Sequence, residues 1–393
     1  MAASALFIHH PDNLKYFFGD THPFNQKRLD LTISLLRAAN ALDVDDPTFH
    51  IPPAVDDELL ASVHTQEYLS FVKALSEQTP DPTLLSQAGK YGLDDGDTPH
   101  FPGMHDVTRQ VVGGSVSAVE AVMSGRTCHA LHLGGGLHHA MANRAGGFCI
   151  YNDASVAISY ARSRYKAKVL YVDTDVHHGD GVQMSFYTDP SVCTFSIHET
   201  GKYLFPGTGY AHERGEGEGF GTCFNMPVEP YTEDESWLEC FTDMLFRIVD
   251  VFQPDLIISQ HGCDAHAWDP LAHVHCSMDI YLQMPLLLQQ AAERCSGRWV
   301  ALGGGGYDIW RVVPRAWGLL WLVMSGHPLV GELLQHGNAP LPEAWLERWS
   351  PYSPSRLPTA WLDDKDALGS IPRREEIAIK NRQTKQLAMQ FIE

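Results

Sequence analysis

The sequence predicts an α/β protein built on one central, mainly parallel sheet with helices on both faces. Three observations carry this expectation. Short apolar and β-branched runs alternate with segments of helical spacing from about residue 129 onward, and such alternation places a crossover helix between parallel strands. No linker-like or low-complexity stretch interrupts the chain before about residue 360, so residues 1–370 are expected to form one domain. Four expected strands end in glycines, histidines and aspartates, at the carboxyl edge where open α/β sheets bind ligands.

In order along the chain, residues 5–9 are expected to be the first strand. The N-terminal run 1–10 lacks a basic segment, and its apolar stretch is too short for a secretion signal. Apolar spacing predicts a helix over 28–42. Asp56-Asp57-Glu58 can open a second helix continuing through 59–75, since acidic residues are favoured in a first turn. Residues 78–104, rich in Pro, Gly and Asp, are expected to be a long loop. Helix patterns follow at 111–124 and 153–165, the latter with Asn152 or Asp153 as its cap. Strands are expected at 129–133, 169–172, 192–197, 255–260 and 299–302. Thr232-Glu233-Asp234-Glu235 has the form of a capping box before a helix to about Phe252. Pro314 falls early in the helix pattern 312–324, where proline is tolerated. Residues 371–393 form a charged amphipathic tail, expected to be a helix packed on the domain or an oligomer contact.

The chain has 393 residues, 44% of them hydrophobic, enough for a large core. Its formal net charge of −20 argues against nucleic acid and anionic membranes as main partners. None of the eight cysteines forms a C-x-x-C pair, which argues against a zinc ribbon and fits reduced thiols in a cytoplasmic protein. No stretch approaches the roughly 20 apolar residues of a membrane span.

The stretch 169–181, Val-Leu-Tyr-Val-Asp-Thr-Asp-Val-His-His-Gly-Asp-Gly, starts as a strand and ends in metal-ligand residue types. Side chains two apart on an extended chain share a face. Asp173, Asp175 and His177 therefore point one way if the strand persists past Val172. A carboxylate and an imidazole suit a divalent ion, with a third ligand needed from elsewhere. Asp264, after the strand at 255–260, can supply it; the alternative is that Asp264 caps a following helix. Two carboxylates and an imidazole would accept Zn²⁺, and Fe²⁺ or Co²⁺ as well.

His138 and His139 follow Gly134-Gly135-Gly136. Imidazoles there could move protons at the metal, each oriented by a carboxylate, with Asp173 and Asp180 as candidates. The alternative is that they are packed or surface groups. Tyr307 follows four glycines and can donate to a developing oxyanion. No Lys-Ser/Thr follows those glycines, so a phosphate-binding loop fits poorly. Phe148 and Phe205, on glycine-rich loops, are either pocket walls or ordinary packing. His178, His198, His266 and His273 are expected to be supporting groups, because a chain with 21 histidines has many that do no chemistry.

Taken in order, Gly135-Gly136-Leu137-His138-His139, Gly147-Phe148-Cys149-Ile150-Tyr151-Asn152-Asp153, residues 173–181, Phe205-Pro206-Gly207-Thr208-Gly209 and Gly303-Gly304-Gly305-Gly306-Tyr307 form a specific set. It resembles the zinc-dependent histone deacetylase superfamily, over about residues 5–330. His22-Pro23-Phe24-Asn25-Gln26, Tyr91-Gly92-Leu93, Asp269-Pro270-Leu271, residues 307–317 and Ile371-Pro372-Arg373-Arg374 look more narrowly like its bacterial acetoin-utilisation branch. The resemblance implies a single-domain, three-layer arginase/deacetylase-like fold. It implies zinc held by Asp175, His177 and Asp264. His138 and His139 would be the paired histidines, oriented by Asp173 and Asp180, and Tyr307 would polarise the acetyl carbonyl. Gly147, Phe148 and Phe205 would line an acyl-lysine tunnel with Leu271 at its mouth, and Asp97 would hold the substrate backbone. Potassium would sit at Asp173, Asp175, His177, Ser196 and Ile197, with a second site around Phe186, Asp189 and Val192.

The implied activity is hydrolytic removal of acetyl groups from protein lysines by metal-activated water. The implied partner is an acetylated metabolic enzyme such as an acyl-CoA synthetase. An acetylpolyamine amidohydrolase on the same scaffold is the main alternative. A two-manganese ureohydrolase would need more bridging carboxylates. A non-catalytic acyl-lysine binder would be expected to have lost a ligand, a histidine or the tyrosine.

Overall fold

The six apolar runs expected to be strands lie side by side, and two further strands join them. The computed structural model describes residues 5–45, 48–94, 96–364, 368–390 and 392. Residues 1–4 of the N-terminal run considered above lie outside the described residues. Among the described residues the strands are β1 (Ala5–Ile8), β2 (Phe49–His50), β3 (His129–His132), β4 (Val169–Asp173), β5 (Val192–Glu199), β6 (Cys223–Val228), β7 (Leu256–Gln260) and β8 (Trp299–Leu302). They form one sheet in the order β2-β1-β3-β8-β7-β4-β5-β6, and every pairing is parallel. The two strands missed in the sequence are the edges. β2 has only two residues, and β6 carries Asn225 and Pro227, which break an apolar pattern but are tolerated where one side of a strand is unpaired.

Alternate side chains leave the sheet on opposite faces. Leu170 and Val172 of β4 enter one core, shared with helices Lys27–Ala38, Asp234–Phe252, Asp279–Glu293 and Val313–Met324. Val169 and Tyr171 enter another, shared with helices Met104–Met123 and Asp153–Tyr165. The result is three layers. A third apolar cluster, including Tyr16, Phe24, Tyr68 and Tyr91, lies under the loops that precede and follow Met104–Met123.

Several expected boundaries move. The first helix ends at Ala38, because Asn40 turns left-handed at φ 54°. The pattern 59–75 is two helices, Asp57–Leu60 and Gln66–Leu75, each opened by its own side-chain cap, Asp56 and Thr65. The long loop contains two short helical turns, and the helix expected at 111–124 already begins at Met104. The capping box does not form, since Thr232 donates to the Glu229 carbonyl instead. β4 stops at Asp173, where the Thr174 amide and hydroxyl both bond the Gln260 carbonyl and turn the chain.

The sheet order has one consequence for function. The four strand ends singled out in the sequence belong to β3, β8, β7 and β4, which are consecutive neighbours. At about 4.8 Å per strand they span only about 15 Å. Their shared direction opens all four carboxyl ends on one edge.

The C-terminal segment is tied to this edge by ion pairs. Asp363 accepts from Arg315 at 2.8 Å, from His266 at 2.8 Å and from the Met278 amide at 2.8 Å. Helix Arg374–Met389 lies against helix Asp234–Phe252, with Asn381 bonded to Thr232, Ser236 and the Glu229 amide. Among the described residues no helix is long and apolar enough to cross a membrane.

Arg315 and Asp363 are both buried in this contact. Removing one partner of a buried pair leaves the other uncompensated, so Asp363→Ala is expected to lose about 3–5 kcal/mol of unfolding free energy at neutral pH. Burial opposes the Asp363 charge, but the bonds from His266 and Arg315 outweigh it and hold the carboxyl below its ordinary range. A lowered folded value means that the stabilisation is complete above about pH 4 and fades as pH falls through that value. Denaturant titrations should therefore show the gap between wild type and variant narrowing with acid. A gap that widens with acid would contradict the assignment.

Candidate active site

Each of the four central strand ends delivers groups to one place. After β4 the chain turns, so the common face expected for Asp173, Asp175 and His177 is only partly realised. Asp173 stays in the sheet, in register with Ser196 and Gln260, and Asp175 and His177 swing toward Asp264. One ligand-type atom from each of Asp175, His177 and Asp264 lies within 4.8 Å of the others, and all three residues are buried. His177 Nδ1 is 3.1 Å from Asp175 Oδ1 and 3.2 Å from Asp264 Oδ2. Asp264 does not cap a helix. Its other oxygen accepts the Val176 amide at 2.9 Å.

The glycine runs make room for this cluster. A Cβ on Gly305 would lie 2.0 Å from Asp264 Oδ2 and 2.8 Å from Asp175 Oδ2, and one on Gly262 would lie 2.3 Å from Asp175 Oδ2. The Gly305 amide and the Gln260 side-chain amide each donate to Asp175 Oδ2 at 2.7 Å. Two carboxylates and one imidazole, converging in a cradle that excludes any side chain, suit a small divalent ion. Burial opposes the Asp175 charge, yet His138 and His177 hold its carboxyl well below the ordinary range. Burial and the Asp175 charge push Asp264 up to about 6. His177 is buried too, but its bonds to Asp175 and Asp264 raise its proton affinity well above normal.

The paired histidines stand beside this cluster, with ring centroids 4.0 Å apart. His138 Nδ1 is 2.8 Å from Asp173 Oδ2, and His139 Nδ1 is 2.8 Å from Asp180 Oδ1. An ionised carboxylate can only accept, so Nδ1 carries a proton in both rings and Nε2 is the working atom. The two environments diverge. Burial alone would lower His138, but Asp173, Asp175 and Asp180 together raise it to about 9. Burial, and then the adjacent His138, lower His139. The two rings are thus pushed in opposite directions, the separation expected of an acid–base pair.

Aromatic rings complete an arc. Phe205 lies 5.0 Å from His139, His139 lies 6.2 Å from His177, His177 lies 6.5 Å from Tyr307, and Tyr307 lies 5.6 Å from Phe148. Burial, then Asp264 and Asp175, keep the Tyr307 phenol protonated, with its proton affinity raised well above normal. Phe148 is a non-glycine residue at φ 68°, a backbone state that costs energy and occurs most often at working sites. It is clamped from both sides. Its amide donates to Thr98 and its carbonyl accepts from Tyr16. Gly147 has no room for a side chain, since a Cβ would lie 2.2 Å from the His139 ring. Asp97 Oδ2 accepts the Gly147 amide at 2.9 Å, so this carboxylate is attached to the wall of the site.

Leu271 is reached through Asp269. One Asp269 oxygen accepts the Leu271 amide at 3.0 Å and the other the Tyr307 amide at 2.7 Å. Burial and Asp264 push this carboxyl up to about 8. In the potassium set, Ser196 Oγ meets His198 Nδ1 at 2.8 Å, and Ile197 follows it along β5. Phe186 and Asp189 lie between helix Asp180–Ser185 and β5, and Val192 opens β5. There the Asp189 carboxylate accepts the Ser191 amide and pairs with Arg162.

The sequence reading gave no site role to Gln260, Asp153, Asp269 or Arg28. Asp153, considered only as a cap, takes the Gly136 and Leu137 amides and so holds the loop bearing His138. Arg28 is buried and donates to the Gly306 carbonyl at 3.1 Å. Its signal was present: it occupies the apolar stripe of its helix with Leu31, Thr32 and Leu35.

Comparison with known proteins agrees with this geometry. A model of the histone deacetylase domain matches residues 22–324. The acetoin utilization protein AcuC of Bacillus subtilis is 47% identical over 390 residues, 99% of this chain and 97% of that protein. AcuC of Staphylococcus xylosus is 43% identical over 392 residues, 98% of each. The crystal structure of an HDAC homolog from Aquifex aeolicus superposes with a TM-score of 0.80 at 27% identity, covering 96% of this chain and all of that one. An HDAC homolog complexed with SAHA gives 0.79 at 26% identity, with the same coverage. The eight-stranded parallel sheet with its flanking helices is thus the arginase/deacetylase fold, and the chain belongs to the histone deacetylase family.

Proposed function

We propose that this deacetylase-family hydrolase removes acetyl groups from lysine ε-amines of proteins, and that it needs a metal ion to do so. The observation that carries the proposal is the pairing of two adjacent imidazoles with two separate buried aspartates, beside an Asp-His-Asp cluster. A divalent ion held by Asp175, His177 and Asp264, zinc in the first instance, would act as a Lewis acid that polarises the acetyl carbonyl and acidifies water. His139, its ring fixed by Asp180, takes the proton of the attacking water at Nε2. His138, fixed by Asp173, supplies positive charge beside the reacting centre. The Tyr307 hydroxyl donates to the oxygen of the acetyl group as it gains charge. The proton held at the histidines passes to the leaving nitrogen as the C–N bond breaks, giving acetate and free lysine.

Phe148 and Phe205 stand at the two ends of the arc of rings, where an extended alkyl chain can pass between them. Leu271 would meet the substrate at the entrance, and Asp97 would act there with Gly147. The same proposal includes potassium at Asp173, Asp175, His177, Ser196 and Ile197, and around Phe186, Asp189 and Val192. For the substrate we propose an acetylated lysine of a cytoplasmic metabolic enzyme, such as an acyl-CoA synthetase. A net charge of −20 favours cationic rather than nucleic-acid partners.

Acetate release from a panel of acetyl-lysine peptides and acetylated polyamines tests the substrate. The peptides should be turned over with the higher kcat/KM; the reverse order would identify a polyamine deacetylase. Chelation should abolish release, and Zn²⁺, Fe²⁺ or Co²⁺ should restore it. Full activity in chelator would end the metal proposal. Tyr307→Phe should lower kcat by about 100- to 1000-fold, the loss typical of one oxyanion donor. Near-native turnover in that variant would remove Tyr307 from the chemistry.

A further inference from the structure

Phe205 is 51% exposed, yet its ring sits edge-on to His139. An exposed aromatic on a loop needs something to hold it. The residues that follow it, Thr208 to Glu213, are fastened to the body of the protein by a polar bridge that the proposed reaction does not use. Glu213 accepts the Gly209 and Tyr210 amides at 3.1 Å. Its Oε2 also accepts from Gln183 Nε2 at 2.8 Å. Gln183 Oε1 in turn accepts from His178 Nε2 at 2.9 Å and from Asn225 Nδ2 at 2.8 Å. His178 Nδ1 returns to the loop, 2.8 Å from the Thr208 hydroxyl. The Gly209 carbonyl accepts from His198 Nε2 at 2.9 Å. Gly209 itself is at φ +84°, and a Cβ there would lie 2.3 Å from His198 Nε2 and 2.6 Å from His178 Cγ.

Gln183 lies in the short helix Asp180–Ser185. The first residue of that helix, Asp180, fixes His139, and the fourth, Gln183, fixes the loop carrying Phe205. Positions three apart on a helix are neighbours. One rigid turn therefore sets the acceptor histidine and the wall facing it.

We propose that His178, Gln183 and Glu213 are positioning residues that hold the Phe205 wall against His139 and so set the affinity for the acyl-lysine chain. The inference rests on the deacetylase reading for its effect on substrate, and on the hydrogen-bond geometry alone for its effect on the loop.

Gln183→Glu tests it, because it removes the donor to Glu213 and sets two carboxylates against each other. The KM for an acetyl-lysine peptide should rise about tenfold, the scale of one lost charge-assisted bond, while kcat stays within about twofold. Amide exchange at Gly209 and Tyr210, followed on substrate-free protein, should accelerate by about the same factor. The double variant Gln183→Glu with Glu213→Gln restores a donor facing an acceptor in reverse order and should return both KM and exchange toward wild type. Thr208→Val, at an exposed position, removes only the His178 bond and should raise KM by about threefold whether or not the buried variant folds. Unchanged exchange in the folded Gln183→Glu protein would overturn the proposal, as would faster exchange with unaltered KM, an equal fall in kcat and kcat/KM, or an unaltered KM in Thr208→Val. A wild-type protein inactive on acetyl-lysine would instead sink the deacetylase reading and leave the exchange result to decide the tether.

Discussion

Asp173, Asp175 and Asp264 are all buried within one site, and most of that site follows from how their burial is tolerated. An unpaired buried carboxylate costs several kcal/mol. Here each is compensated by backbone amides and imidazoles. Asp173 accepts from His138, Tyr171 and the Asp175 amide. Asp175 accepts from Gln260 and the Gly305 and His177 amides. Asp264 accepts from the Val176 amide and faces His177. These donors come from the ends of β4, β7 and β8 and from the loop after β3, so the charge cluster can exist only where those four strands are neighbours. The glycines at 262 and 305 follow from the same constraint, since a side chain at either would occupy the space of a carboxylate.

The chemistry of the site was legible in the sequence because strand ends are. An apolar or β-branched run marks a strand and the glycines, histidines and aspartates after it mark its edge; of the eight strands among the described residues, six were legible as runs and four of those by their ends as well. Asp264 could not be told from a helix cap by its neighbours. Only the turn after β4, which brings His177 to it, separates the two roles. The helix 59–75 was misread for a related reason: apolar spacing continues through the break, and the caps at Asp56 and Thr65 outweigh it. Edge strands were missed because β2 is too short for a pattern and β6 interrupts its own with Asn225 and Pro227. Gln260, Asp269 and Asp153 were invisible as site residues. Each acts through a backbone amide or another side chain brought from more than ten positions away.

The supporting histidines show a further limit. His178 and His266 were expected to support rather than react, but the sequence did not say what their rings would meet. His266 meets Asp363, nearly one hundred residues later, and with Arg315 ties the segment after Trp361 to the loop that carries Asp264 and Asp269. His178 meets Thr208 on the Phe205 loop. Neighbours of the metal-type residues thus reach outward, one to the C-terminal segment and one to the wall of the site.

Groups proposed to act on the acetyl carbon sit on strand ends or within a few residues of them, where backbone ladders on both sides hold position. Groups proposed to meet the substrate's chain, Phe148, Phe205 and Leu271, sit on loops. Side-chain bonds from Thr98 and Tyr16, from Glu213 and from Asp269 hold those loops. Two kinds of restraint imply two kinds of tolerance. A change at a strand end leaves a buried charge without a partner and threatens the whole cluster. A change in a loop tether frees one wall and leaves the cluster compensated. If the proposed reaction holds, substrate preference can therefore vary on this scaffold through the tethers while the reacting groups stay in place.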